Sequence, residues 1–212
     1  MAIRPAYFVT NGKVIKSEYE FQWCAGFSLA QKQRSVVSLH NAIKTSNAEA
    51  KPLEISTKGI IALGVKLSAF NLKLNGYTLE NIFQSSKVFS NGGPYRDLLN
   101  IAPKEAKRDD RLHNSGVLVG FNYDGIDFPL EPKTIFYDYI YINAVKQTVL
   151  LEEIKQIKEY THFTDIEFNP QKSINTQAKT AAMIRLMLEL YHEIPSFDIS
   201  DFIHFHTEMV KC

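Results

Sequence analysis

The segment Thr78-Leu-Glu80-Asn-Ile-Phe83-Gln84-Ser-Ser-Lys87 carries the densest set of chemically capable residues in the chain. At ~100° per residue, Glu80, Phe83, Gln84 and Lys87 stand zero, three, four and seven positions along, which places all four on one face of a helix. A carboxylate and an amine then share a side with an aromatic ring, a set suited to acid–base or nucleophilic chemistry. Spacing alone favours a plainer alternative, a first-turn Glu stabilised by the helix dipole and a solvent-facing Lys. A second candidate lies in His-Phe163-Thr-Asp165-Ile-Glu167-Phe, where strand alternation puts Phe163, Asp165 and Glu167 on one side. Two carboxylates that close raise one another's pKa and suit a shared proton. The alternative there is an acidic edge facing solvent.

Other residues of suitable type are scattered. Lys104, Lys107, Arg108 and Arg111 form the one local basic cluster, diluted by Glu105, Asp109 and Asp110, and read either as phosphate contacts or as a solvated helix. Trp23, the only Trp, reads as a stacking platform or as a core residue. The pair Gly92-Gly93 lets backbone amides approach an anion, although an ordinary glycine turn has the same sequence. His204 and His206 alternate near the C-terminus without the further ligands a metal needs, so no metal is expected.

These residues need a scaffold. Residues 6 to 23 alternate around Asn11-Gly12, a strong hairpin signal, and predict two strands. Ser28 caps a helix in which Leu29, Val36, Leu39 and Ile43 form one stripe, ending near Lys44. Short strands are expected at LEIST and at VKLSAFNLKL, and Thr78 caps a helix running through Val88-Phe89 to the Asn91-Gly92-Gly93-Pro94 stop. PKEAKRDDRL predicts a short charged helix, VLVGFNYDGIDFPL a strand pair around Asp124-Gly125, and residues 134 to 160 a long helix or two. HFTDIEFNP reads as strand and turn. QAKTAAMIRLMLELYHEI is apolar on most faces and predicts a central helix limited by Pro195.

The totals agree with one α+β domain containing more helix than strand. With 212 residues at 45% hydrophobic content, the chain can bury roughly 70% of its unfolded surface. Its net charge of +1 does not announce a high-pI nucleic-acid binder, so any such contact is local. No segment approaches a membrane span, and Cys24 and Cys212 lack metal or disulfide-framework spacing, which together predict a cytoplasmic protein with no membrane partner.

The run T-L-E-N-I-F-Q-S-S-K-V-F resembles the T-x-E-H-x-F-Q-x-x-K signature of the NADAR (YbiA-like) family of N-glycosidases. Further stretches agree in order. Leu67-Ser-Ala-Phe70-Asn71 is similar to the family's L-S-N-F, Ala106-Lys-Arg-Asp-Asp-Arg111 to A-K-x-x-G-R, Ile166-Glu167-Phe-Asn-Pro170 to V-E-x-S-P, and Ile174-Asn175-Thr-Gln-Ala to G-x-N-x-L-G. Gly26-Phe-Ser-Leu-Ala-Gln-Lys-Gln-Arg-Ser35, Ser38-Leu-His40 and the F-x-N-G-G-P-Y run resemble the subgroup paired with DarT toxins, which attach ADP-ribose to DNA bases. Asn81 stands where the family pattern has His, and its D-x-x-W-G has no clear counterpart.

The resemblance implies an N-terminal hairpin-and-helix extension over 1–53, a core over 54–193 and a tail over 194–212. It implies removal of ADP-ribose from guanine in DNA without a cofactor, with ADP-ribosylated DNA and ADP-ribose as ligands and a DarT-like toxin as functional partner. Such a bond breaks through an oxocarbenium-like state that needs nearby negative charge, a proton for the departing nitrogen and a positioned water. Glu80 is the first candidate, followed by Lys87 as acid, ribose orienter or Schiff-base nucleophile, and by Asp165 and Glu167. Asn71, Phe83, Gln84 and Asn175 are expected to bind ligand, with Lys58, Arg111 and the Gly92 and Gly93 amides for pyrophosphate and Trp23 for a base. Two other readings remain: a hydrolase of ribosylamino-pyrimidines in riboflavin synthesis, and a non-catalytic binder of ADP-ribose or toxin.

Overall fold

The computed structural model describes residues 1–168 and 176–211. Strands β1 (Ala2–Thr10) and β2 (Lys13–Phe21) form the expected hairpin, with Asn11 and Gly12 both at positive φ (49° and 68°), as a two-residue turn between right-twisted strands requires. Helix α1 (Leu29–Ser46) begins at a capping box in which the Ser28 hydroxyl accepts from the Gln31 amide and the Gln31 side chain from Ser28 N–H. It buries Val36, Leu39 and Ile43. Strand β3 (Pro52–Glu54) follows.

Next comes a helix, α2 (Ala62–Lys66), then β4 (Lys73–Leu74) and β5 (Tyr77–Thr78). The strand expected at VKLSAFNLKL is therefore corrected to a helix end followed by the two residues of β4. Leu63 and Leu67, four residues apart, are both buried, so the helical period prevails over the local alternation. Helix α3 (Leu79–Ser85) is capped by Thr78, as expected, but stops four residues early. Lys87–Phe89 form β6, laddered antiparallel to β7 (Leu118–Tyr123), and that non-local pairing takes the backbone groups a longer helix would have used. The charged segment is split into two single turns, α4 (Pro103–Ala106) and α5 (Arg111–Asn114), and β8 (Ile126–Phe128) completes the hairpin at Asp124-Gly125.

Helices α6 (Ile135–Thr148) and α7 (Leu151–Gln156) lead to β9 (His162–Thr164). Helix α8 (Gln177–Tyr191) is the central helix, with Ala178, Ala181, Met183, Ile184, Leu186 and Met187 fully buried. The C-terminal segment expected as a tail folds into α9 (Ile199–Met209), which buries Phe202 and Phe205, and β10 (Val210–Lys211). The main sheet has the order β10-β2-β1-β9-β3, so the N-terminal hairpin supplies two of its inner strands and holds β9 beside β3. Among the described residues, no helix is long and apolar enough to cross a membrane.

Candidate active site

Two adjoining cavities of about 540 and 520 Å³ share Glu80, Lys107, Tyr137 and Thr176, and together form one elongated cleft. Each is within the size range of small-molecule sites. The first lobe is walled by Phe70, Lys104, Asp165, Phe168 and Gln177, the second by Phe83, Gln84, Phe121 and Phe136. The cleft thus lies where α3, α4, α6, the start of α8 and the end of β9 converge.

Glu80 stands in the first turn of α3, and its Oε1 accepts a hydrogen bond from Gln84 Nε2 at 2.7 Å, one helical turn on. Phe83, on the same face, packs against Phe121 (5.2 Å), Tyr137 (5.5 Å, edge-on) and Phe136 (6.2 Å). Lys87 is in β6 rather than on the helix. Its Nζ still lies 5.0 Å from the Phe83 ring centre, and burial lowers its pKa, opposed by Glu80 and reinforced by Lys107. Glu80, Phe83, Gln84 and Lys87 therefore do come together, although Lys87 arrives by a sheet register instead of a helical face.

Asp165 is buried at the end of β9. Gln177 Nε2 donates to its Oδ2 at 2.6 Å, and Gln177 Oε1 accepts from Ala69 N–H at 2.9 Å, which locks the amide in place. Burial pushes the Asp165 carboxyl up to about 7, the buried Glu54 adds to the rise, and the Gln177 hydrogen bond only partly offsets it. Glu54 in turn accepts from Ser56 Oγ (2.6 Å), Thr164 Oγ1 (2.6 Å) and Ile166 N–H (2.7 Å). His40 Nε2 lies 3.0 Å from Thr164 Oγ1, and burial first and Lys44 second hold its pKa down near 4. Tyr137 completes the group. Burial raises its phenol, and the charges of Glu80, Asp138 and Asp165 raise it further, so it remains a hydroxyl donor.

Several residues singled out in the sequence lie elsewhere. The β9 alternation ends at Thr164, so Glu167 falls in a turn, where it pairs with Lys32 at 3.0 Å instead of facing the cleft beside Asp165. Arg111 is engaged by Asp97 (2.5 Å) and Asp109 (2.8 Å) over the Tyr95 ring. Gly92 and Gly93 shape the turn after β6, where a Cβ on Gly93 (φ 83°) would stand 2.3 Å from the Lys87 carbonyl oxygen. Trp23 packs on the sheet between Arg4 and Lys32, at 5.3 and 5.0 Å. Lys58 follows β3, its N–H donating to Ser56 Oγ, and lines neither lobe. Asn71 is exposed, donating to the Val65 carbonyl at 2.7 Å, next to the cleft residue Phe70. Asn175 lies outside the described residues.

Asn81, the departure from the family pattern, is buried on the far side of α3. Its Nδ2 donates to the Leu98 and Ile101 carbonyls at 2.7 and 2.9 Å, which fastens the following segment to the helix. The model of the DarT1-associated NADAR antitoxins matches residues 2–210, the whole scaffold just described. The chain belongs to this antitoxin family. NADAR proteins are in general N-glycosidases. No curated protein matches the sequence.

Sequence reasoning did not single out Tyr137, Gln177, Glu54, Phe70 or Phe168. The first two sit near the starts of α6 and α8; Phe70, Gln177 and Phe168 lie inside the L-S-A-F-N, I-N-T-Q-A and I-E-F-N-P stretches, whereas Tyr137 and Glu54 carried no motif signal. Lys104 and Lys107, noted merely as part of a basic cluster, are the cations at the cleft wall.

Proposed function

We propose that this NADAR antitoxin hydrolyses the N-glycosidic bond between ADP-ribose and a guanine base in DNA, reversing a DarT1-type modification. The observation that carries the reading is the pairing, across one two-lobed cleft, of the Glu80 carboxylate with Asp165, a carboxyl that keeps its proton near neutrality. Glu80 faces the anomeric carbon, stabilising positive charge as the C–N bond breaks and orienting the incoming water. Asp165, held by Gln177, gives its proton to the departing base nitrogen, and the water supplies hydroxyl to the anomeric carbon and a proton to the site. The products are free ADP-ribose and unmodified guanine. Tyr137 lines the same lobe as Glu80 and Asp165, and its hydroxyl suits a ribose hydroxyl. Lys104 and Lys107 suit the pyrophosphate better than Arg111, whose charge is already matched. Phe70 and Phe168 offer faces for a base. Lys87, with its pKa lowered by burial, supports a variant in which the amine attacks the anomeric carbon first.

The test is incubation with DNA modified on guanine and DNA modified on thymine. Release of ADP-ribose from the guanine substrate is expected. No release would sink the proposal, equal release from both would remove the base preference, and cleavage of a ribosylamino-pyrimidine in its place would make the protein a metabolic hydrolase.

A further inference from the structure

The element Gly26 to Ser35 has no part in the cleft chemistry. From Phe21 to Ala48 the chain carries Lys32, Arg34 and Lys44 and no carboxylate, although Asp and Glu number 23 in the whole sequence. The stretch after β2 runs along α1, held by Ser38 Oγ accepting from Gln22 N–H (3.1 Å) and Ser35 Oγ accepting from Cys24 N–H (2.9 Å). Between them lies a further cavity of about 560 Å³, whose polar lining comes from Gln22, Gln33, Arg34, Ser38 and Asn41. Positions 30, 33, 34, 37, 38 and 41 form one helical stripe, so the groove runs along the outer face of α1. Among the described residues, the Arg34 side chain has no hydrogen-bond or ion-pair partner.

Two residues before α1, whose outer face lines this groove, Phe27 is fully exposed, at 101%. Its position is set by the backbone: Gly26 has φ 128°, the loop closes onto Gln31, and Gln31 is committed to the capping box. The same end of α1 borders the segment that carries two of the cleft residues. Lys32 pairs with Glu167 at 3.0 Å, and Glu167 lies between the cleft residues Asp165 and Phe168.

We propose that the Phe27 loop and the outer face of α1 hold the nucleic-acid strand that flanks the modified base. Phosphates lie in the groove against Arg34 and the amide and hydroxyl donors, and Phe27 stacks against the neighbouring base where the modified nucleotide has left the helix. This rests on the DNA substrate proposed above. A polyanion suits a groove that offers donors, one unpaired guanidinium and no carboxylate. A base that enters a cleft must leave its stack, and an exposed aromatic fills the gap or caps the exposed face.

The test compares wild type with Phe27→Ala and Arg34→Gln, both surface changes whose folding is checked by melting temperature. Three readouts are used: release of ADP-ribose from a modified guanosine and from a modified duplex, binding of an unmodified oligonucleotide by fluorescence anisotropy, and capture of purified DarT1-type toxin. Both variants should cleave the nucleoside at the wild-type rate. Each should lose about tenfold in kcat/KM on the duplex, within the range of a lost base–aromatic stack. Arg34→Gln should also flatten the salt dependence of oligonucleotide binding by about one phosphate contact. Wild-type duplex kinetics and binding in both variants would overturn the inference, and loss of capture of purified DarT1-type toxin in their place would make this a protein-docking face. Should wild type release nothing, weaker oligonucleotide binding by the variants would still support this surface while the proposed reaction fails. Equal binding would then overturn both.

Discussion

Two buried carboxylates on neighbouring elements have opposite fates. Asp138 on α6 is fully buried, and burial by itself pushes its carboxyl up, but Lys179 and His206 outweigh that and hold it below the ordinary value. Its oxygens meet Lys179 Nζ at 2.6 Å, His206 Nε2 at 2.9 Å and Thr134 Oγ1 at 2.8 Å, with the Thr180 hydroxyl as a further donor. The residues come from α6, α8 and α9, so this cluster ties three helices together. Asp165, almost as buried, has another carboxylate, Glu54, for a neighbour and, among the described residues, only a neutral amide and a backbone N–H as hydrogen-bond donors. The same side chain is thus an anchored anion in one place and a proton reservoir at the wall of a cleft in the other. What separates them is the charge of the neighbours, not the depth of burial.

The comparison breaks most sharply at Glu80. Glu80→Gln should lose ~10²–10⁴ in turnover, the usual cost of removing a positioned acid–base group, with its melting temperature and ADP-ribose affinity retained. Near-normal release would return Glu80 to the role of a helix-dipole residue. If the Lys87 amine is the nucleophile, borohydride should trap ADP-ribose on wild type and not on Lys87→Arg, whose turnover should fall in parallel. Trapping that survives the substitution would move the nucleophile to another amine.

The paired cluster should respond in stability instead. Asp138→Ala strands the buried Lys179 charge and is expected to cost about 3–5 kcal/mol by urea unfolding. A loss below about 1 kcal/mol would mean that the cluster does not anchor α9.

Asp165 sharpens the contrast through pH. As a proton donor it acts while protonated, so kcat/KM should fall as pH rises through about 7, and Asp165→Asn should remove that limb along with most of the rate. Its raised pKa also means that the folded state binds the proton more tightly than the unfolded chain. Its stabilising contribution is therefore present at low pH and lost between about 3.8 and about 7, and the Asn variant should lack that slope in melting temperature. A wild-type profile flat across this range would remove Asp165 from proton transfer.

The smallest effect contrasts two cations. Lys107→Gln should raise the KM for modified DNA by roughly tenfold, the loss of one charge-assisted hydrogen bond. Arg111→Gln should leave KM unchanged, because Asp97 and Asp109 already satisfy the guanidinium. The reverse ranking would place the pyrophosphate on the other side of α4.

Much of this was readable from residue types. Asn11-Gly12 and Asp124-Gly125 specify tight turns, Ser28 and Thr78 cap their helices, and the near-continuous apolar run of α8 makes it central, because turn chemistry and hydrophobic period are local properties of the chain. The ordered motifs around Glu80 and Lys87 were legible for the same reason, and they point to the family that matches residues 2–210. Tertiary structure decided which charges are free. Arg111 is matched by Asp97 fourteen residues away, Asp165 faces Glu54 from the far end of the chain, and Lys87 joins Glu80 through a strand paired with Phe121. Charge pairing and desolvation depend on distances between segments that sequence spacing does not encode. The same carboxylate or guanidinium is therefore structural or reactive only once the fold has chosen its neighbours.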